Sequence, residues 1–236
     1  MRVAVVVPTY NEVDNIAGLL SKLLACDCRP DVVVVDDNSP DGTADLVRAW
    51  HGSQPRVSLH PRQRKDGLGA AYVDGFTHVL GQNRYDAVVQ MDADGSHAAE
   101  DVDRLVAALD RGDLVIGSRY VPGGAVDGWP AGRRILSRFG NVYARAWLGL
   151  PLRDLTGGFK AWRADTLATL GLGHVRSDGY AFQVEMTARA VARGARVTEV
   201  PITFRNRSAG TSKMDARIAV EALRVVPTLR RQRLTR

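Results

Sequence analysis

The sequence predicts a single α/β domain with a mostly parallel sheet flanked by helices. Valine-rich strands alternate with amphipathic helices through the first half of the chain, and three of the strands end in short acidic turns. Strands that alternate with helices indicate βαβ crossovers and therefore parallel strands. The 236 residues suffice for one large domain, and no repeat, low-complexity tract or linker divides them.

The predicted elements follow one another regularly. Residues 3–7 are an unbroken valine-rich run, typical of a strand buried on both faces. Asn11 is a candidate N-cap for a helix whose apolar residues recur at helical spacing from Ile16 to Leu24. The remaining strands are predicted at residues 32–35, 57–59, 87–91 and 113–117, and the remaining helices at residues 44–51, 65–80 and 99–109.

Two carboxylates, Asp92 and Asp94, directly follow the strand at residues 87–91 and are separated only by Ala93. Ligands of open α/β sheets bind at the carboxyl ends of the strands. Two acids crowded there repel each other unless a cation lies between them and a ligand, and Mg²⁺ is typically held by one or two carboxylates plus substrate phosphates. The pair therefore predicts a metal–diphosphate site. Taken alone, it could also be a solvated acidic turn.

Two further strands also end in acidic turns, at Tyr10-Asn11-Glu12 and at Asp36-Asp37. The glycine-rich fingerprints of dinucleotide-binding and phosphate-binding loops are absent from the sequence. Carboxylates at strand ends can accept hydrogen bonds from ribose hydroxyls. Each turn alone is more typical of a helix cap, but the three together predict a site for a sugar nucleotide.

The charge indicates an anionic partner. Lys and Arg outnumber Asp and Glu by 32 to 26, a net charge of +6, which suits nucleic acid, an anionic membrane or phosphorylated substrates. The acidic turns would repel a phosphate backbone, so no nucleic-acid partner is predicted. Cys26 and Cys28 are spaced for neither a disulfide nor a zinc site and are interpreted as thiols in a reducing cytosol. No apolar run is long enough to span a membrane.

Several segments together carry a family resemblance. Residues 7–12 (VPTYNE), 35–43 (VDDNSPDGT) and 91–97 (MDADGSH) resemble family-two glycosyltransferases of the GT-A fold. The order of four further segments resembles dolichyl- or polyprenyl-phosphate mannose synthases: residues 117–120 (GSRY), 154–160 (DLTGGFK), 178–185 (DGYAFQVE) and 201–214 (PITFRNRSAGTSKM). The resemblance implies a Rossmann-like catalytic domain over residues 1–214 and a basic amphipathic helix or tail over residues 215–236.

The resemblance also implies an activity. A member of this group would transfer mannose from GDP-mannose to a polyprenyl (dolichyl-type) phosphate by metal-dependent single displacement, giving polyprenyl-phosphate β-mannose with inversion. The acceptor is already an anion, so the site must position the substrates and stabilise the leaving diphosphate rather than supply a strong base. Two alternatives stay open: a polyprenyl-phosphate glucosyltransferase that uses UDP-glucose, and a family-two enzyme with a soluble acceptor.

Site residues follow from the resemblance. The implied substrate-binding residues are Pro8, Tyr10, Glu12, Val35, Asp37, Asp92, Ala93, Asp94, Arg119, Arg207 and Lys213. Asp94, Arg119, Arg207 and Lys213 are the candidate catalytic residues among them, and Asp92 and Asp94 would bind Mg²⁺ or Mn²⁺. Arg133, Ser137 and Glu185 are candidates for the acceptor site, although Glu185 could equally be a buried structural acid.

The last expectation concerns the membrane. Residues 129–153 contain five arginines and no acid, with apolar residues at helical spacing among them, and residues 217–236 contain six arginines and one acid. Basic amphipathic helices can lie in a lipid headgroup layer. We therefore predict a peripheral protein on the cytoplasmic face of a membrane, docked directly or through a separate membrane-anchoring subunit or domain. The alternative is a helix whose apolar stripe packs on the core.

Overall fold

The sheet and its helices are defined by a computed structural model that describes residues 1–206. The strands are β1 (Val3–Thr9), β2 (Asp31–Asp36), β3 (Val57–Pro61), β4 (Ala87–Gln90), β5 (Leu114–Ser118), β6 (Ala125–Val126), β7 (Lys160–Arg163), β8 (Val197–Pro201) and β9 (Thr203–Phe204). The helices are α1 (Val13–Leu24), α2 (Thr43–Ser53), α3 (Leu68–Gly81), α4 (Asp101–Ala107), α5 (Ala131–Leu148), α6 (Ala164–Ala168) and α7 (Gly179–Ala192). Arg207, Lys213, the predicted domain boundary and the predicted tail lie outside the described residues.

Seven strands form one sheet in the order β3-β2-β1-β4-β7-β5-β8. All neighbours are parallel except that β7 runs antiparallel to both β4 and β5. The short strands β6 and β9 pair separately with each other. The predicted α/β fold with a mostly parallel sheet is therefore confirmed.

Helices cover both faces of this sheet. On β1, Val3, Val5 and Val7 contribute to one buried cluster with α1, α2 and α4, whereas Ala4 and Val6 contribute to another with α3 and α7. Burial on both faces explains why the strand sequence is continuously apolar instead of alternating.

The start of α1 corrects one prediction. Asn11 does not cap this helix, because its backbone adopts a left-handed conformation with φ of 58° and the helix begins two residues later, at Val13. The Val13 N–H group donates instead to a carboxylate oxygen of Asp41, at 3.1 Å. The cap is thus supplied by the loop after β2, which joins the two loops at the edge of the sheet.

The helix α5 turns apolar side chains outward. Only Asn141, Ala144 and Leu148 of this helix are buried. Its exposed large apolar side chains, with exposed fractions of 40–69%, are Ile135, Leu136, Phe139, Val142 and Trp147. The apolar stripe predicted here therefore faces away from the core along most of the helix. Within residues 1–206, no helix combines the length and apolar character that crossing a membrane requires.

Candidate active site

A cleft of about 360 Å³ opens at the carboxyl ends of β1, β2 and β4. This is the edge at which the predicted acidic turns meet, as expected for parallel strands. Nine residues predicted from the sequence line it: Pro8, Tyr10, Glu12, Asp37, Asp92, Ala93, Asp94, Arg119 and Arg133. The structure thus brings most of the nucleotide candidates, both metal candidates and one acceptor candidate, Arg133, together in one cavity.

Three predicted residues do not line this cleft. The Val35 side chain is fully buried and points into α3, where a Cβ atom on Gly75 would lie only 2.7 Å from Val35 Cγ2. Val35 stays a predicted nucleoside-binding residue, and because the strand turns its side chain to the core, a nucleotide would meet it through the main chain. Ser137, one turn after Arg133 on α5, accepts a hydrogen bond from the Tyr120 hydroxyl at 2.7 Å and does not line the cleft.

Glu185 is the third. Its buried carboxylate lies 2.7 Å from the Arg189 guanidinium one turn along α7 and accepts a hydrogen bond from the Ser177 N–H group at 3.2 Å. These contacts tie α7 to the loop before it. Of the two roles left open for Glu185, the contacts support the structural one.

The nucleoside end of the cleft is built from the loops after β1 and β2. The Lys65 ammonium lies 3.8 Å from the centre of the Tyr10 ring, and Asp37 forms a buried ion pair with Arg62. Burial raises the pKa of the Asp37 carboxyl, although Arg62 opposes that shift. The Asp37 N–H group donates to the Thr9 carbonyl at 3.0 Å, which holds the two loops side by side.

The carboxylate pair after β4 is oriented by its neighbours. The Tyr72 hydroxyl of α3 donates to Asp92 at 2.7 Å, and burial raises the pKa of Tyr72, so this hydroxyl stays a donor. Asp94 accepts a hydrogen bond from the Ser96 N–H group at 3.0 Å. Any side chain at Gly158 would crowd the pair, because its Cβ atom would lie 3.2 Å from an Asp92 oxygen.

The donor set around this pair suits a hard divalent cation. Within residues 1–206 no group of three His, Cys, Asp or Glu side chains could hold a metal ion. The hydroxyl of Ser96, however, is buried and has no hydrogen-bond partner in the described part of the chain. Two carboxylates and an unbonded hydroxyl are oxygen ligands of the kind Mg²⁺ and Mn²⁺ prefer, with substrate phosphates completing the shell.

His97 supports the backbone of the same turn. Its ring stacks on Phe159 at 4.9 Å and meets the edge of Phe204 at 5.2 Å. Burial lowers the pKa of His97, which keeps the ring neutral, and Nδ1 accepts a long hydrogen bond of 3.4 Å from the Asp92 N–H group. The His97 ring therefore holds the turn that carries Asp92 and Asp94 by packing and one hydrogen bond, without adding a charge to it.

Arg119, at the end of β5, is buried and paired. Its Nε and Nη2 atoms donate to the two carboxylate oxygens of Asp154 at 2.7 and 2.6 Å, and Nη2 also donates to Thr156 at 2.8 Å. Burial alone would favour the uncharged forms, but each partner outweighs it, so the pKa of Arg119 is raised and that of Asp154 is lowered. Asp154 therefore already neutralises much of the positive charge of Arg119 that was predicted to bind a substrate phosphate.

Arg133 is the second arginine of the cleft. Its guanidinium lies 4.1 Å from the centre of the Trp129 ring, a stacking arrangement that leaves the edge of the guanidinium available for hydrogen bonds. Its Nε atom is buried and lacks a hydrogen-bond partner within the described residues. Arg133 also lines the cleft, so its guanidinium is a candidate to bind an anion there.

A buried polar network below the cleft was not predicted. The fully buried Lys160 ammonium donates to the main-chain and side-chain oxygens of Gln183 at 2.8 and 3.0 Å, and Gln90 donates to the same side-chain oxygen at 2.7 Å. Burial lowers the pKa of Lys160 to about 7. Two donors occupy the side-chain oxygen of Gln183, so its NH₂ group is left for other acceptors. Because Gln183 lines the cleft, a bound substrate could be such an acceptor.

Other lining residues that the sequence did not single out include Lys65, Thr156, Asp178 and Tyr180. Asp178 accepts a hydrogen bond from the Gly69 N–H group at 2.7 Å and so holds the start of α3 against the start of α7. Lys160, next to apolar residues, was the one sequence signal for the buried network. A buried charge needs partners, so a buried lysine indicates polar groups around it.

Comparisons with known proteins agree on the family. The model of Glycosyl transferase family 2 matches residues 4–171. The undecaprenyl-phosphate mannosyltransferase of Micrococcus luteus is 48% identical over 223 residues, which are 94% of this chain and 91% of that protein. The polyprenol monophosphomannose synthase of Mycolicibacterium smegmatis is 45% identical over 224 residues, which are 94% of this chain and 84% of that protein.

Solved structures of more distant proteins share the fold. The mannosyltransferase PcManGT from Pyrobaculum calidifontis, in complex with GDP-Man and Mn²⁺, matches with a TM-score of 0.63 at 24% identity, over 93% of this chain and 60% of that one. The glucosyl-3-phosphoglycerate synthase from Mycobacterium tuberculosis, in complex with Mn²⁺, UDP and its product, matches with a TM-score of 0.66 at 21% identity, over 97% of this chain and 78% of that one.

Proposed function

The chain belongs to glycosyl transferase family 2 and is a glycosyltransferase, and on that premise we propose that it transfers mannose from GDP-mannose to a polyprenyl phosphate. The observation that carries the proposal is the cleft in which Asp92 and Asp94 face Arg119 and Arg133, beside a helix with an exposed apolar face. The names of the two bacterial relatives support the sugar and the lipid acceptor.

The donor nucleotide fits the end of the cleft at β1 and β2. Tyr10 offers a ring for a base, and Asp37 offers a carboxylate for ribose hydroxyls. The diphosphate then lies along Asp92, Ala93 and Asp94, where the two carboxylates and Ser96 would hold Mg²⁺ or Mn²⁺. When bound, the ion supplies Lewis-acid stabilisation for the charge on the leaving diphosphate.

The acceptor enters from the opposite side. A lipid phosphate is an anion at neutral pH and attacks the sugar in line with the departing nucleotide, which inverts the anomeric carbon. Arg133 is placed to orient that phosphate, since its Nε donor is otherwise unsatisfied. Arg119, held in place by Asp154, lies between the two substrates as a fixed hydrogen-bond donor whose charge is largely compensated. Arg207 and Lys213, outside the described residues, are proposed to bind the diphosphate from the following segment.

The test is a transfer assay with purified protein and radiolabelled GDP-mannose, UDP-glucose and UDP-N-acetylglucosamine, each with polyprenyl phosphate or with a soluble mannoside acceptor. Label should pass from GDP-mannose into the lipid extract. Transfer from the other two donors should be at least about a hundred-fold slower, which is the discrimination expected of a site that binds one sugar nucleotide. Transfer from UDP-glucose instead would replace the donor assignment. Transfer only to the soluble mannoside would refute the lipid acceptor.

We further propose that α5 docks on the membrane surface. Its exposed Ile135, Phe139 and Val142 lie among Arg134, Arg138 and Arg145, and no acid lies on the helix. Apolar side chains can enter the headgroup boundary while arginines meet anionic lipids, which brings the cleft to an acceptor that stays in the bilayer.

Replacement of Ile135 and Phe139 together by serine should weaken binding to anionic vesicles by about a hundred-fold, because each buried apolar side chain contributes roughly 1.5–3 kcal/mol. Flotation of the variant and the parent with the same vesicles measures the loss. Unchanged GDP-mannose affinity serves as the control for folding. Equal flotation of the two proteins would mean that another part of the chain, or a partner, makes the membrane contact.

A further inference from the structure

A second cavity of about 390 Å³ lies against α5, and its lining is strongly basic. Four of its lining residues are arginines, namely Arg119, Arg138, Arg145 and Arg153, and no lining residue is an acid. Arg119 is the one residue that it shares with the donor cleft. The two cavities therefore have otherwise different linings and meet at Arg119.

The charges in this cavity are poorly compensated by the protein. Arg119 is paired with Asp154, but Arg138, Arg145 and Arg153 form no ion pair with any carboxylate within residues 1–206. Arg138 instead lies 5.8 Å from the Tyr120 ring. Like charges that converge on a cavity repel one another, and an anion placed among them relieves that repulsion. Guanidinium groups bind phosphate and carboxylate through paired N–H groups, and phosphate is the anion that phospholipid headgroups present.

The position of the cavity indicates where such a phosphate comes from. Arg138, Val142 and Arg145 line it, and they alternate along α5 with the exposed residues Ile135 and Phe139. Val142 belongs both to the cavity lining and to the exposed apolar face. A phosphate bound here would therefore carry its hydrocarbon directly onto the surface proposed to enter the headgroup layer.

We propose that this cavity binds the headgroup phosphate of an anionic phospholipid, distinct from the substrate acceptor, when α5 docks on a membrane. The inference rests on the proposed docking of α5 and adds a specific lipid contact to it. Such a contact would fix the rotation of α5 about its own axis on the membrane. Apolar insertion and general charge attraction would allow a range of rotations.

The variants separate phosphate recognition from charge. In Arg145→Lys/Arg153→Lys the positive charges remain, but the paired donors that match phosphate are lost. Both side chains are exposed at the surface, so the fold should tolerate the change. The matched control is Arg2→Lys/Arg111→Lys, which alters two exposed arginines at the amino-terminal ends of β1 and β5, the edge of the sheet opposite the cleft.

Each protein is floated with phosphatidylcholine vesicles that contain either phosphatidylglycerol or oleate at equal surface charge. The parent and the control should bind the phosphatidylglycerol vesicles about ten-fold more tightly than the oleate vesicles, and the cavity variant should lose that preference. Equal binding of the parent to both vesicle types, or an unchanged preference in the cavity variant, would overturn the phosphate site while leaving docking intact. Failure of the parent to bind either vesicle would refute docking and the site together.

A transfer assay in detergent without phospholipid distinguishes the source of the phosphate. The cavity variant should keep the parent KM for polyprenyl phosphate, because the proposed ligand is a membrane lipid. A several-fold rise in that KM, with kcat unchanged, would assign the cavity to the acceptor instead and overturn the proposal. If the parent itself failed to transfer label, the proposed function would be refuted. That outcome differs from a failure of the phosphate site, which changes only the vesicle preference.

Discussion

Replacement of Asp92 or Asp94 by asparagine is expected to reduce transfer by about a thousand-fold while leaving the fold intact. Each carboxamide keeps the size of the side chain but loses the charge that would hold a divalent cation against the diphosphate. Without that cation, the charge that develops on the leaving group loses its main preorganised stabilisation, and the loss of one such group costs on the order of a hundred- to a thousand-fold. EDTA should have the same effect on the parent protein.

The measurement is initial rate of label transfer into lipid, with Mn²⁺ binding followed separately by calorimetry. Asp110→Asn is the matched control, since Asp110 is exposed and lies at the end of the 3-10 turn after α4, away from the cleft. This variant should transfer at the parent rate. Full activity of the Asp94 variant in the presence of chelator would show that the carboxylate pair serves only the turn.

Replacement of Asp154 by alanine is expected to lower the free energy of unfolding by about 3–5 kcal/mol, because it leaves the buried Arg119 without its counter-ion. Asp154 is fully buried and also accepts a hydrogen bond from the Arg119 N–H group at 2.9 Å, so several donors lose their acceptor at once. An exposed pair offers the contrast. Asp45→Ala, which removes the partner of the exposed Arg48, should cost less than about 1 kcal/mol.

Urea unfolding of the two variants provides the comparison. The double variant Arg119→Met/Asp154→Leu should recover most of the stability, since an apolar pair of similar volume can replace a buried ion pair. It should not recover transfer if the guanidinium is needed between the two substrates. Recovery of both would mean that the pair is purely structural, whereas a small stability loss in Asp154→Ala would show that water reaches Arg119.

The sequence predicted the elements of the first half of the chain and most of the cleft for one physical reason. Parallel strands place their carboxyl ends at a common edge, so residues that directly follow β1, β2 and β4 converge whatever the details of packing. Tyr10, Asp37, Asp92 and Asp94 belong to that class. Their local sequence fixes both the strand and the turn.

The three candidates that do not line the cleft depend on the phase of an element. Val35 lies in a strand buried on both faces, where the apolar pattern does not alternate, so nothing local tells which face its side chain takes. Ser137 and Glu185 lie on helices, and a rotation of one position turns a side chain away from a cavity. Ser137 is held by Tyr120, 17 residues away in sequence, and Glu185 is held by Arg189 on the next turn of α7 and by the Ser177 N–H group of the preceding loop.

The buried network could not be predicted because it depends on topology. β7 enters the sheet antiparallel between β4 and β5, which places Lys160 opposite Gln90 at the site edge. A strand of four residues that reverses direction leaves little signal in the sequence. The cap of α1 also depends on topology, since Asp41 lies 28 residues from Val13, whose N–H group donates a hydrogen bond to it.

The link between α5 and the cleft has one more consequence. Asn141 accepts hydrogen bonds from the Leu155 and Thr156 N–H groups at 2.7 and 3.2 Å and donates to the Thr156 hydroxyl at 2.9 Å. These hydrogen bonds connect the outward-facing helix to the segment that holds Arg119. In the proposed docking, α5 would rest on a bilayer over the roughly 27 Å that its length gives, and the membrane plane would set the height of the reaction centre above the lipid. An acceptor would need to raise only its phosphate and first isoprene units to that height, and the rest of its chain could stay among its neighbours in the bilayer, whatever its length.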